Sequence, residues 1–433
     1  MTRKILRGRV LSFSDEPQAR DDRSSYRLIE DGAVEIVDGQ IVSVGPYRAE
    51  AGVEVIDHSG HLILPGFIDT HIHFPQMQVI GAYAAALLEW LNTYTFVEEQ
   101  RFADAGHAAR IAGRFFDELI RHGTTSAAAY CSVHPQSVDA FFTAAAERDM
   151  LMVAGKVMMD RNAPAALLDT AQRGYDETKA LIAKWHGKGR AHYAITPRFA
   201  ITSTPEQMAA AEALKREFPD LHVQTHVAEN LAEIEYANEL YPNYGDYVGI
   251  YEKYHLLGPK TLLGHAIHLS HRETEVLADT GSVAVFCPTS NLFIGSGLFD
   301  YDRLHARGVR IATATDVGGG SSYSMLRTMD EGYKVMQLRG QRLMPLRSFY
   351  HLTLGNARAL GLDDRIGRIA PGYDADLVVL DARATPQMRL RMETVESLEQ
   401  ELFLLQTCGD DRAVTETYVR GRALKSALAE QAA

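Results

Sequence analysis

At 433 residues, 46% of them hydrophobic and 23% charged, the chain can bury a large core and has the composition of a soluble globular protein. Asp and Glu number 56 against 44 Lys and Arg, a formal charge of -12 with no basic block to track a phosphate backbone, so neither nucleic acid nor an anionic membrane is an expected partner. No apolar run reaches transmembrane length, and Met1-Thr2-Arg3-Lys4 leads into a strand-like segment, which makes the cytoplasm the expected compartment.

Residues 4–13, 33–37 and 40–44 read as short strands, with Asp38-Gly39 supplying the positive-φ pair of a tight hairpin. Between the first two strands, 14–27 is polar and reads as a surface loop; 53–56 and 61–64 continue the strands up to Pro65-Gly66. From there strand and helix alternate. The strands are expected at 63–71, 124–130, 150–157, 191–196, 222–226, 261–265, 282–286 and 309–315, and the helices at 101–122, 136–149, 170–187, 205–217, 231–240, 271–280, 301–307 and 323–338. Eight such units over roughly 300 residues predict an α/β fold of the (β/α)8 TIM-barrel type, spanning 66–368. A doubly wound sheet competes, but no Gly-rich dinucleotide turn follows the first strand. Strands return at 377–380 and 413–419, so 1–65 and 369–433 are expected to meet in a small β-sandwich module, with the last dozen residues a short helix or frayed tail.

The strand ends carry the chemistry, because the C-terminal strand ends of such a barrel converge on one mouth. Strand one closes with His71 and His73, whose spacing of two points both imidazoles to one side. Strand five ends in His226, strand six in His265 and strand eight in Asp316. Core packing gives no reason for four histidines and an aspartate at one end of a barrel. Three imidazoles and a carboxylate suit one borderline divalent ion, zinc first and iron second, able to activate water near neutral pH. The three cysteines, Cys131, Cys287 and Cys408, are too few and too far apart for a disulfide framework or a Cys-rich zinc site. Glu229, three residues after His226, is placed to face that water as a proton shuttle, although a glutamate ahead of a helix is more often a dipole partner. Gln76 and Arg198 offer an amide and a guanidinium fork to carbonyl or ring-nitrogen acceptors.

Pro65-Gly66-Phe67-Ile68-Asp69-Thr70-His71-Ile72-His73, together with Gly367-Arg368-Ile369 and Gly372-Tyr373-Asp374-Ala375-Asp376-Leu377, resembles the signature of the amidohydrolase superfamily. A narrower resemblance, to the guanine deaminase family within it, rests on His71-Ile72-His73-Phe74-Pro75-Gln76, Leu87-Leu88-Glu89-Trp90-Leu91, Gly155-Lys156-Val157-Met158-Met159-Asp160, Thr196-Pro197-Arg198-Phe199, His226-Val227-Ala228-Glu229-Asn230, Cys287-Pro288-Thr289-Ser290-Asn291 and Thr315-Asp316-Val317-Gly318-Gly319. The resemblance implies a mononuclear zinc enzyme acting on a small-molecule purine, and a homodimer. It implies that His71, His73, His226 and Asp316 hold the zinc, that His265 steadies the reacting water, and that Asp316 and Glu229 move protons. Gln76 and Arg198 would hold the purine between apolar walls formed by Phe199 and Trp90. The alternatives are an aminohydrolase of the same build acting on another purine, a pterin or a triazine, and a catalytically dead barrel. Phe74, larger than expected, and the Gly318-Gly319-Gly320 run are places where the pocket would differ from the family pattern. Lys156 reads as an internal ion-pair partner, so one metal is expected; His222 and His268 read as packed or hydrogen-bonded, and Cys287 as a small buried residue.

Overall fold

Pro65 and Gly66 mark where the chain leaves one sheet and enters another. A Cβ on Gly66 would lie 2.2 Å from the Thr125 hydroxyl, so only glycine fits this crossing. The computed structural model describes residues 3–83 and 87–432. Beyond Gly66 eight parallel strands follow one another in sequence order: Phe67–His73, Thr124–Tyr130, Leu151–Gly155, Ala191–Pro197, His222–Val227, Thr261–His265, Val283–Phe286 and Arg310–Thr313. A short extra segment, Val157–Met158, pairs with the fourth. The expected (β/α)8 barrel is therefore present. Its strands are buried almost throughout and rich in Ala, Val, Leu and Ile, as both faces of a parallel sheet covered by helices require.

The surrounding helices follow ordinary capping and amphipathic rules. Helix Ala105–Arg121 starts where the Asp104 side chain accepts from the His107 backbone N–H, and it buries Ala108, Ile111, Ala112, Phe115, Phe116, Leu119 and Ile120 on one face. Among the described residues no regular ladder joins the eighth strand to the first. Two main-chain bonds join the strand ends, Asp316 N–H to the His71 carbonyl at 2.9 Å and His73 N–H to the Val317 carbonyl at 2.7 Å, and side chains close the rest of the seam. Asn356 donates from Nδ2 to the Ile68 and Thr313 carbonyls at 2.6 and 2.8 Å, and its Oδ1 accepts from Thr313 N–H at 2.9 Å. Thr70 donates to the Thr313 carbonyl at 3.0 Å, and the Thr315 hydroxyl is bonded to Asp69.

Both termini build the small module as one seven-stranded sheet. Strands Arg3–Phe13, Tyr26–Val37, Gln40–Pro46 and Glu54–Pro65 come from the N-terminus, and Leu377–Leu380, Val414–Val419 and Arg422–Ala423 from the C-terminus. Asp38 and Gly39 take φ of 49° and 84°, forming the predicted hairpin turn. The second strand begins earlier than its apolar pattern suggests and takes up Tyr26 and Arg27 from the expected loop. Side chains alternate: Ile63, Leu377 and Val379 enter the module's own core, while Leu62, Leu64, Val378 and Leu380 pack into the main core toward the barrel. The sheet curls until its ends meet, Gly421 lying against Ile36 and Ala375 N–H donating to the Gly39 carbonyl. Arg190, just before the fourth barrel strand, pairs with Asp374 and Asp376 of the module in a buried network, and Arg365 and Arg420 reach Asp374 as well. No helix among the described residues is long and apolar enough to cross a membrane.

Candidate metal centre and active site

The first barrel strand aims its histidines by means of an irregularity. Its register with the second strand steps from Asp69↔Ala127 to Ile72↔Ala129, so one extra residue bulges out between them. Simple alternation puts Ile68 and Ile72 on one face; the bulge instead leaves Ile68 in the barrel interior and Ile72 in the outer core. His71 and His73 thereby turn inward, with ring centroids 5.1 Å apart.

Four ligand-type atoms converge there. His71 Nε2 and His73 Nε2 lie 3.3 and 3.4 Å from Asp316 Oδ1, and His73 Nε2 lies 3.1 Å from His226 Nε2. A tetrahedral ion with arms of about 2.0–2.1 Å places its ligands roughly 3.3 Å apart, so these separations match an ion-sized gap. Neither ring nitrogen of His71 has a hydrogen-bond partner although the residue is fully buried, a costly arrangement unless a ligand uses them. His226 Nδ1 bonds the Arg198 carbonyl at 2.7 Å, which keeps the proton on Nδ1 and turns the Nε2 lone pair to the cluster. Burial holds His71, His73 and His226 below the ordinary histidine range, hence neutral. Burial opposes ionisation of Asp316 too, but the contact with His71 and the charge of nearby His265 outweigh it and bring its pKa down to about 2. Neutral imidazoles and an ionised carboxylate are the forms that bind a cation.

Close packing enforces this geometry. A Cβ on Gly264 would stand 2.6 Å from His71 Cε1, so the imidazole rests on a glycine of the sixth strand. His265 and Asp316 adopt φ of 68° and 50°, left-handed values that turn their side chains off the strand ends into the mouth. The glycine run after Asp316 is sterically required: a Cβ would meet the Gln76 carbonyl at 2.6 Å from Gly318, Ser290 Oγ at 2.7 Å from Gly319 and the Thr315 carbonyl at 1.9 Å from Gly320. Tyr130, at the end of the second strand, lies against His71, His73 and His226 with ring centroids 4.7, 4.5 and 4.9 Å away. Nothing around Tyr130 in the sequence marks it as part of the site.

Glu229 and His265 face the cluster from the next two strand ends. His265 Nε2 stands 3.4 Å from Glu229 Oε2 and 3.7 Å from Asp316 Oδ2, while its Nδ1 bonds Asn291 Oδ1 at 2.9 Å. Burial opposes charge on His265, yet the carboxylates of Glu229 and Asp316 prevail and raise its pKa. Glu229 is itself raised, chiefly by burial, and accepts a hydrogen bond from Ser296 Oγ at 2.7 Å. Behind it, Glu233 accepts from the backbone N–H groups of Glu229 and Asn230 at 2.8 and 3.0 Å, fixing the turn that carries Glu229.

The cleft above the cluster is lined by polar groups together with Leu87, Trp90, Leu91, Phe199 and Ile294. Gln76 and Arg198 both reach it, and both are tied to the buried Glu99. Glu99 was not singled out in the sequence, where Glu98-Glu99-Gln100 has the look of a solvated face. Phe74 does not reshape the pocket: it is buried against Phe102, Phe115 and Phe141, away from the cleft. Lys156 is an internal ion-pair partner, bonded to Asp169 and 3.3 Å from Glu177. His222 and His268 bond the carbonyls of Leu360 and Ser296 at 2.7 and 2.8 Å. Cys287 is buried, with Sγ close to His265 and Asp316.

A model of the amidohydrolase family matches residues 62–424. The chain belongs to the amidohydrolase family. It is a hydrolase, and the His/Asp cluster fits the metal dependence general among amidohydrolases. Guanine deaminase of Escherichia coli strain K12 is 47% identical over 430 residues, covering 97% of each chain. A solved structure of E. coli guanine deaminase has a TM-score of 0.94 at 46% identity, covering 97% of this chain and 99% of that one. The structure of guanine deaminase from C. acetobutylicum with bound guanine in the active site has a TM-score of 0.88 at 28% identity, covering 98% and 100%.

Proposed function

We propose that this amidohydrolase removes the exocyclic amino group of guanine by hydrolysis, giving xanthine and ammonia, and that it does so with one zinc ion held by His71, His73, His226 and Asp316. The observation that carries the reading is the set of four ligand-type atoms at ion-sized spacing, with Glu229 facing it in one cleft with Gln76 and Arg198. Full-length likeness to guanine deaminases supports guanine as the substrate. Zinc, or iron in its place, supplies Lewis-acid activation of a water molecule at neutral pH.

The chain's own residues do the rest. Asp316 Oδ2, turned to His265 and away from His71 and His73, takes the first proton from the attacking water. His265 Nε2 hydrogen-bonds that water and sets its line of approach. Glu229, whose pKa burial raises, gives its proton to the ring nitrogen beside the amino-bearing carbon and then relays the water's second proton to the departing amine. Arg198 and Gln76 present N–H donors to the ring's acceptors, and Phe199 and Trp90 hold the ring and keep bulk water out. Residues 66–368 carry the reaction, and 1–65 with 369–433 brace the barrel.

The deciding experiment is the ultraviolet spectrum of zinc-loaded protein with guanine, alongside adenine, a pterin and a triazine. Conversion of guanine to xanthine with ammonia release, abolished by a chelator, and one metal equivalent by elemental analysis are expected. Turnover of another ring with none of guanine would overturn the substrate; two metal equivalents in active protein would overturn the single ion.

A further inference from the structure

Behind the polar wall of the cleft stands a carboxylate that the mechanism does not use. Glu99 ends the short helix Phe96–Glu99, is 1% exposed, and is absent from the cleft lining. Arg198 Nη1 donates to both its oxygens at 2.9 and 2.7 Å, and Gln76 Nε2 donates to Oε1 at 2.9 Å. One buried acceptor therefore holds both polar groups that reach the ring.

This clamp fixes how each group meets a ligand. With Nε2 committed to a carboxylate, the Gln76 amide has one orientation, and its Oε1 accepts from Gly318 N–H at 3.3 Å. With Nη1 committed, Arg198 has Nε and Nη2 left as donors, no hydrogen bond from either being recorded among the described residues. The Arg198 guanidinium lies 5.4 Å from the Phe96 ring centroid, so its tilt is set as well. The charge of a buried guanidinium is balanced without occupying the donors that face the cleft.

We propose that Glu99 is a positioning residue that makes the cleft select rings bearing a carbonyl oxygen, by presetting Arg198 and Gln76 as a rigid donor edge. It acts through those two side chains and touches no ligand. A ring without a carbonyl leaves one of the remaining, fixed N–H donors unpaired in a buried site, and that penalty is the source of the selectivity. Once the clamp is cut, Arg198 swings and the Gln76 amide flips, so the penalty shrinks. The inference rests on the guanine reading for its choice of ligands.

The test compares guanine with 2-aminopurine, which keeps the amino group and lacks the carbonyl, in zinc-loaded wild type and Glu99→Gln. Glu99→Gln sets an amide N–H2 against existing donors. It is expected to lower kcat/KM for guanine at least about tenfold, mainly through KM, and to leave the 2-aminopurine dissociation constant, read by its fluorescence, within about threefold. Metal content should not change. Equal losses for both rings, or none for either, would overturn the proposal. In an Arg198→Met background the further change Glu99→Gln should cost less than about threefold in kcat/KM for guanine, because only Gln76 is left for it to position. The double variant carries no unpaired buried charge, so it stays measurable if Glu99→Gln alone fails to fold; a further loss of about tenfold in it would also overturn the proposal. If wild type turns over no guanine, the activity reading fails separately, and dissociation constants of the same two rings still decide the clamp.

Discussion

Glu229 is held in place from three directions: Ser296 on one oxygen, His265 beside the other, and Glu233 beneath its backbone N–H. Such a carboxyl keeps its position when its charge is removed. Glu229→Gln is therefore expected to retain one metal and bind guanine, while kcat falls by about 10²–10⁴-fold. Elemental analysis beside steady-state rates checks this, and near-normal turnover would remove Glu229 from proton transfer. Gly264 makes the complementary case. Its missing side chain leaves room for the His71 ring, so Gly264→Ala pushes that ligand off its line and should weaken metal binding by about 10–100-fold, read by competition with a chromogenic chelator. Metal affinity equal to wild type would mean that His71 is not held against Gly264. The ligand-type residues were legible because histidines at strand ends stand out against apolar strands. Glu99, Tyr130 and Ser296 were not, because their importance comes from what they touch, and local sequence does not encode that.

At the scale of the element, the alternation of apolar runs and amphipathic stretches located all eight barrel strands to within a few residues. It did not reveal the bulge between Asp69 and Ile72, since an extra residue leaves the apolar pattern of the strand intact. Nor did it reveal helices Tyr247–Lys253 and Leu398–Cys408, the second an apolar run whose N-cap is Ser397, or the turns of Pro345–Tyr350 and Asn356–Leu360 that return the chain under the barrel. Asn356 shows what that return accomplishes. Where strands eight and one have no regular ladder, it adds three hydrogen bonds to main-chain groups below the two main-chain bonds at the strand ends. Asn356→Ala strands buried N–H and C=O groups at the seam and should cost about 3 kcal/mol, read as a lower urea midpoint at unchanged slope. A loss under about 0.5 kcal/mol, the range of an ordinary surface change, would show that the seam is held without Asn356, by the Thr70 and Asp69 bridges and the main-chain bonds of His71 and His73.

Across the whole molecule, the motif containing Asp374 and Asp376 does structural work far from the reaction, holding the terminal module to the barrel through Arg190. A second set of buried polar groups lies at the closed end of the barrel. His222 bonds the Leu360 carbonyl there, and burial lowers its pKa from 6.5 to about 4; neighbouring His192 is likewise held to about 4. The unfolded chain takes up these protons near pH 6.5, whereas the folded chain resists them until about pH 4. Between those limits the unfolded state binds more protons, so stability falls as pH falls, and it is fully present only above pH 6.5. His222 alone accounts for on the order of 3 kcal/mol across that window, at about 1.4 kcal/mol per pH unit. His222→Gln keeps a donor for the Leu360 carbonyl but cannot be protonated. Its urea midpoint should therefore decline less than that of wild type between pH 6.5 and 4, with the two curves running parallel above pH 7. Parallel curves through the acid range would mean that His222 is already charged in the folded chain, and that the closed end of the barrel admits water.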